Sequence, residues 1–251
     1  QRIIADVRAA RIDSRMDPAV SLYDSAGRRL AFARGTHRHD AIVDVSLESD
    51  GEYLLKLHDF TYQGGDEYFY RLALHDGPHI DFVVPAAGEP GSKGRFMLYG
   101  RNLPGSKPSE VELRGAKLEQ VEVEIPLPKD APLPLSAENL HTYEAGLESI
   151  AYTLESPQGE SNPVTIYLAE APVVLEQEPN DEPSKAQAVT APCEFVGQFY
   201  PQSDRDWITF QAKKDEALWM EVISQRMGLA TDPYLLVQHV TKNDKGEEQV
   251  K

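Results

Sequence analysis

From Glu176 the chain reads EQEPNDEPSKAQAV, and Glu176, Glu178, Asn180, Asp181 and Glu182 crowd five acidic or amide side chains into seven residues. Oxygen donors spaced two apart and interrupted by proline suit a hard cation. An extended strand would set Glu176, Glu178 and Asn180 on one side, with Asp181 turning inward at the break. Calcium takes roughly six to eight oxygens in a flexible shell that mixes carboxylate, amide and backbone carbonyl, whereas magnesium demands tighter octahedral placement and more retained water. A second acidic pair, Asp204 and Asp206 in SDRDW, precedes the candidate strand WITFQA. A turn that folds back onto the first stretch would complete the shell. The alternative is structural: EPND makes a respectable turn, and acidic clusters are commonly solvated surface. Ligand type, spacing and the second pair favour the cation.

Other residues carry less. His37 and His39 in THRHD alternate onto one side of an extended segment, and His58-Asp59 forms a second His–carboxylate pair. No HExxH or comparable spacing supports a transition-metal site, so THRHD reads as a solvated loop and His58 as a strand-end histidine. Tyr62, Tyr68 and Tyr70, with Phe60 and Phe69, are either a rigid platform for an extended protein or glycan, or part of a sandwich interior. Of these two, the interior is the expectation. The chain has no GxSxG elbow, P-loop or dinucleotide fingerprint, and nothing places two carboxylates across a cleft, so a catalytic role is not expected.

The charge balance narrows the partners. Asp and Glu number 41 against 25 Lys and Arg, a formal net charge of −16 over 251 residues, which repels phosphate backbones and anionic membranes. Nucleic-acid binding and membrane insertion are therefore not expected, and no apolar run is long enough to cross a bilayer. Gln1-Arg2-Ile3-Ile4 lacks the pattern of a signal peptide, so a signal, for an exported protein, would lie outside this chain. Cys193 is the single cysteine, which excludes a disulfide framework within the chain and reads as a small buried side chain on a strand.

The elements that must position these groups are strands. RIIADVRA, AVSLYD, RLAFA, AIVDVSL, EYLLKLHDF and EYFYRLALH alternate apolar with polar residues and are separated by turns such as DSAGR and ESDGE. Val43, Val45 and Leu47 share a face, as do Tyr53, Leu55 and Leu57. From about Gly77 the chain is dense in Pro and Gly and then offers EVELRG, KLEQVEVEI, SIAYTL and NPVTIYLA. The expectation is all-β: tandem antiparallel β-sandwiches over residues 1–76, 77–170 and 171–251. PLPKDAPLPLSAENL is too proline-rich for a helix.

The chain also repeats itself. Aligning Asp17-Pro18 with Asp232-Pro233 sets Val7 on Val222, Asp6 on Glu221, Ile4 on Trp219 and Ile3 on Leu218. An alternating strand, an Arg, a turn and a second apolar strand recur in order, as in a duplicated module. The first copy has no counterpart of EQEPND, and the second has none of residues 40–74. Residues 171–251 thus supply the beginning of a module and 1–76 its end, and the two half-modules could complement one another within a chain or between chains.

EQEPND, then SDRDWITF, then TDPYLLV resembles the bacterial pre-peptidase C-terminal domain, a family similar to the collagen-binding domains of clostridial collagenases. DPAVSLYDSAGRRLA, SDGEYLLKLHDF and GGDEYFYRLAL fit the later half of the same pattern. The resemblance implies a jelly-roll-like sandwich of secreted proteins, often beside a peptidase, with calcium near the first strand. It implies Glu176, Glu178, Asn180, Asp181, Asp204 and Asp206 as ligands. GRFMLYGRNLPGS and SNPVTIYLA resemble the immunoglobulin-like IPT/TIG fold, and the tandem arrangement is similar to that of large exported planctomycete proteins. The function expected is a non-catalytic, calcium-stabilised module at the cell surface or beyond it, for adhesion, spacing or substrate targeting, with an extracellular protein or glycan as partner. The alternatives are an accessory region of a secreted peptidase or other enzyme, and a structural surface-layer component.

Overall fold

The computed structural model describes residues 1–35, 40–113, 115–131, 147–224, 231–242 and 248–250. His37 and His39 lie outside them, as does most of the proline-rich PLPKDAPLPLSAENL. Strand makes up about 44% of the chain and helix about 3%, so the architecture is all-β. The chain divides into two compact units, residues 1–139 with 147–211, and residues 140–146 with 212–251.

The first unit opens with six strands: β1 (Arg2–Arg8), β2 (Pro18–Tyr23), β3 (Arg29–Arg34), β4 (Ile42–Ser46), β5 (Leu54–Asp59) and β6 (Arg71–His75). They form two antiparallel sheets of three, ordered β4-β1-β6 and β3-β2-β5. The alternation read in the sequence decides which side of each faces inward. Ala5, Val7, Val20, Leu22 and Val43 form the core between the sheets, with Val45, Leu47, Tyr53, Leu55 and Leu57 packed at its margin.

Buried aspartates hold the connections. Asp40 accepts hydrogen bonds from the backbone N–H of Ala9 and Ala10 at 2.8 and 2.7 Å and from Arg11 Nε at 2.8 Å, pinning the short turn after β1. Asp59, at the end of β5, accepts from the N–H of Asp17, Thr61 and Gln63 and from the Thr61 hydroxyl. Burial opposes the Asp59 charge, but these donors outweigh it and hold the carboxyl below its ordinary range.

A second sandwich follows. β7 (His79–Val84), β8 (Ala87–Gly88), β9 (Lys93–Arg101), β10 (Lys107–Leu113), β11 (Ala116–Pro126), β12 (Ser149–Tyr152), β13 (Glu155–Ser156), β14 (Gly159–Glu160) and β15 (Val164–Leu168) come in chain order. The sheet β10-β11-β9-β7 faces the sheet β12-β15-β8, with Ile80, Phe96, Leu98, Ile125 and Ile166 among the residues of the core.

Charged groups join the two sandwiches. Arg101, 1% exposed at the end of β9, donates through Nε to Asp44 of β4 at 2.7 Å and through Nη1 to Asp81 of β7. Arg2 of β1 reaches the same Asp44 through Nε at 2.6 Å and Glu119 of β11 through Nη1 at 2.6 Å. Gly100, next to Arg101, lets β7 lie close against β9: a Cβ there would stand 2.0 Å from the carbonyl oxygen of His79, a backbone contact that cannot yield. Removing one member of a buried ion pair strands the other, which typically costs about 3–5 kcal/mol. Arg101→Ala is accordingly expected to lower the unfolding free energy by about that much, read as a lower denaturant midpoint, and Arg101→Lys to recover only part of it. An unchanged midpoint would show that the join does not depend on the guanidinium.

In the second unit, β20 (Val240–Lys242) and β21 (Glu248–Val250) form an antiparallel hairpin. The repeat of β1 does not form a strand there. Trp219, aligned with the fully buried Ile4, is 90% exposed, and residues 217–223 carry no regular structure. The reason is pairing. β1 is the central strand of its sheet and is paired on both sides, whereas among the described residues no strand pairs with 217–223.

Candidate metal centre

Between the second sandwich and residue 211, four short strands pair in parallel. β16 (Val173–Leu175) lies beside β18 (Glu194–Val196), and β17 (Gln187–Ala188) beside β19 (Ile208–Thr209). Glu176 N–H donates to the Val196 carbonyl at 3.0 Å, extending the first pair, and Trp207 N–H, just before β19, donates to the Asn180 carbonyl at 3.0 Å. The segment 176–180 is thereby laid against Gly197 on one side and Trp207 on the other. SKAQAV resolves into a short 3-10 turn, Pro183–Lys185, followed by β17. Cys193 is half-buried and stands just before β18 rather than within it.

This pairing brings Glu176, Glu178, Asp204 and Asp206 together, with one carboxylate oxygen from each lying within 4.8 Å of the others. The carboxylates are held from behind. Glu176 accepts from Gln198 N–H at 2.8 Å, Glu178 from Asn180 N–H at 2.9 Å, and Asp204 from the N–H groups of Tyr200 and Arg205, both at 2.7 Å. Asn180 is fully buried among them, and its Nδ2 donates to Glu176 Oε1 at 3.3 Å. Its Oδ1 has no hydrogen-bond partner, and neither does Asp206 Oδ1. A buried amide oxygen left unpaired costs about 1–3 kcal/mol, so two orphaned oxygens beside three further carboxylates make a donor set suited to a cation. These four carboxylates could hold a metal ion.

Two of the expected ligands differ in standing. Asn180 takes the inward position, and the chain then alternates outward, so Asp181 is exposed and outside the group. Gly197 was not anticipated. A Cβ on it would sit 2.8 Å from Glu176 Cδ and Oε2, so the glycine seats the Glu176 carboxylate. A lone Gly inside the strand pattern EFVGQF is the sequence signal for such a close approach.

The aromatic residues do not enter the core. Tyr62 is 73% exposed and Tyr70 is exposed, while Tyr68 is half-buried. Residues 66–70 form the approach to β6, which begins only at Arg71, and its Leu72 and Leu74 take the inward-facing positions. Tyr62 instead stacks on His58 at the end of β5, with ring centroids 4.5 Å apart.

No protein-family model, curated protein or solved structure matches this chain. The reading of the site therefore rests on its geometry.

Two tests follow from that geometry. Burial, the adjacent Glu176 carboxylate and the charges of Glu176 and Asp204 push the Asp206 carboxyl up to about 8, with Asn180 pulling the other way. Between the ordinary aspartate value and about 8, the folded chain keeps a proton that the unfolded chain releases, so this group's contribution to stability is lost as pH rises through that window. In chelator, Asp206→Asn is expected to gain on the native chain in thermal midpoint as pH goes from about 5 to about 8. Parallel pH profiles for the two proteins would exclude a raised Asp206. Gly197→Ala, which displaces Glu176 while leaving the two sandwiches intact, is expected to lower cation affinity by at least about tenfold, as loss of a supporting contact commonly does. Isothermal titration with calcium reads it, and unaltered affinity would remove Glu176 from the site.

Proposed function

We propose that this chain is a non-catalytic region of an exported bacterial protein, built of β-sandwich modules and stabilised by calcium, that serves adhesion, spacing or substrate targeting. The observation that carries the proposal is the convergence of four carboxylates beside the fully buried Asn180, whose Nδ2 donates to Glu176 and whose Oδ1 is unpaired. An all-oxygen donor set of carboxylates and an amide, drawn from loops and strand ends, favours calcium over zinc or copper, which prefer nitrogen and sulfur, and over magnesium, which keeps its water. When bound, the ion neutralises the carboxylates that the fold otherwise holds together against their repulsion. Glu176 and Glu178 then fix the segment after β16, and Asp204 and Asp206 fix the turn before β19, so both parallel pairs are clamped at one point. The resemblance of EQEPND…SDRDWITF to the pre-peptidase C-terminal domain supports the same assignment. The exposed Tyr62 and Tyr70 support a surface for an extended protein or glycan.

The test is thermal unfolding in calcium and in chelator, for the native chain and for Asp204→Asn with Asp206→Asn. A ligand at 100 times its Kd adds about 2.7 kcal/mol to the stability of the state that binds it. The native midpoint should rise accordingly in calcium, rise less in equal magnesium, and stay unmoved in the double variant. No rise in the native chain would reduce EQEPND to a solvated turn.

A further inference from the structure

The outer face of the β3-β2-β5 sheet is aromatic and basic, in a chain whose formal net charge is −16. Val20 and Leu22 of the central strand turn to the core, so alternation sends Ala19 and Ser21 outward. In register, Ser21 lies between Phe32 and Lys56, and Ala19 between Arg34 and His58. The next outward row is Tyr23, between Arg29 and Leu54. None of these positions holds a carboxylate. Asp17 and Asp24, paired with Arg34 and Arg28, stand just beyond the two ends of β2. The rings on this face are held by cations. Arg34 reaches across β2 to Phe60, just past the end of β5, with its Cζ 3.5 Å from the ring centroid. Lys56 Nζ stands 5.9 Å from the Tyr62 ring, and Arg29 Cζ 5.3 Å from that of Phe32. Phe32 and Phe60 are nonetheless 48% and 38% exposed, and Tyr62 more so. Among the described residues, neither Arg29 nor Lys56 is ion-paired.

We propose that this face binds a polysaccharide that bears carboxylates. The exposed rings of Phe32, Phe60 and Tyr62 offer flat apolar surfaces to the C–H faces of successive sugars, and Arg29 and Lys56 supply free cations for the sugar carboxylates. Cation–π contacts already orient the rings, so little freedom is lost when a ligand settles on them. The backbone argues against a peptide strand. β2 is hydrogen-bonded on both sides, so the face has no N–H or C=O to pair with one, and recognition there is by side chains alone. Acid elsewhere on the chain is screened beyond a Debye length of about 8–10 Å, whereas Arg29 and Lys56 act at contact. The proposal rests on the reading of this chain as an adhesion or targeting region, and names the partner; it does not depend on calcium.

Fluorescence anisotropy of a labelled oligogalacturonate, titrated with the full chain in chelator, tests it. The expected result is saturable binding that weakens with salt and is absent for the fully methyl-esterified oligomer. Tyr62→Ala, and separately Arg29→Glu with Lys56→Glu, should each weaken it by at least about tenfold, as loss of a central contact commonly does. All three side chains are exposed, and unchanged circular dichroism would establish that the variants fold. No binding of the uronate overturns the proposal. So does equal binding of the esterified oligomer, which would remove the charge from the recognition, or equal binding of an oligoglutamate, which would give the face to an acidic protein. Binding that persists in both variants overturns it by placing the contact elsewhere. Because calcium is absent from this titration and the calcium reading is tested by a midpoint shift without glycan, the two can fail separately.

Discussion

The guanidinium of Arg101 holds the larger part of this structure together. It is buried between two sandwiches whose facing strands each present an aspartate, Asp44 on β4 and Asp81 on β7, and it binds both. Neither carboxylate could sit in that interface alone, because a buried charge without a partner is expensive. Arg2 and Glu119 extend the same network to its rim. The network gives the join a defined register that apolar contact alone would leave loose.

The cluster at Glu176, Glu178, Asp204 and Asp206 poses the same electrostatic problem without the same answer. Among the described residues, none of the four is ion-paired with an arginine or lysine, and the fold brings them together all the same. Backbone N–H groups support three of them from behind, which orients the carboxylates but does not cancel their charge. A proton held at Asp206 is one remedy, and a metal ion, which the four carboxylates could hold, is another.

Strand pairing is the other constraint. In the first sandwich β1 has neighbours on both sides and its inward residues are dry; among the described residues no strand pairs with the aligned segment, and its Trp219 stays open to water. On the edge strand β6, Leu72 and Leu74 are likewise 36% and 61% exposed. Similar sequences thus have different fates according to the strands beside them.

Alternation and turn chemistry were enough to read all six strands of the first sandwich and the all-β class, because a half-buried strand writes its two faces directly into the chain. The oxygen donors of 176–206 were legible for a related reason: ligand type and two-residue spacing are local properties. What proved illegible depended on contacts between distant residues. Asp181 matched its neighbours in type, but the fold, in which Trp207 bonds the Asn180 carbonyl, leaves it exposed and outside the group. The tyrosines near β6 looked like core because aromatic residues favour interiors, and it was the start of the strand at Arg71 that put them outside. Nothing around Arg101 in the sequence marked it as a buried cation, and nothing around Gly197 marked which side chain it admits. Composition and pattern determined which segments form strands and which face each shows; tertiary structure decided which of them pair and what meets across the gap, since pairing, charge burial and close approach are properties of two segments at once.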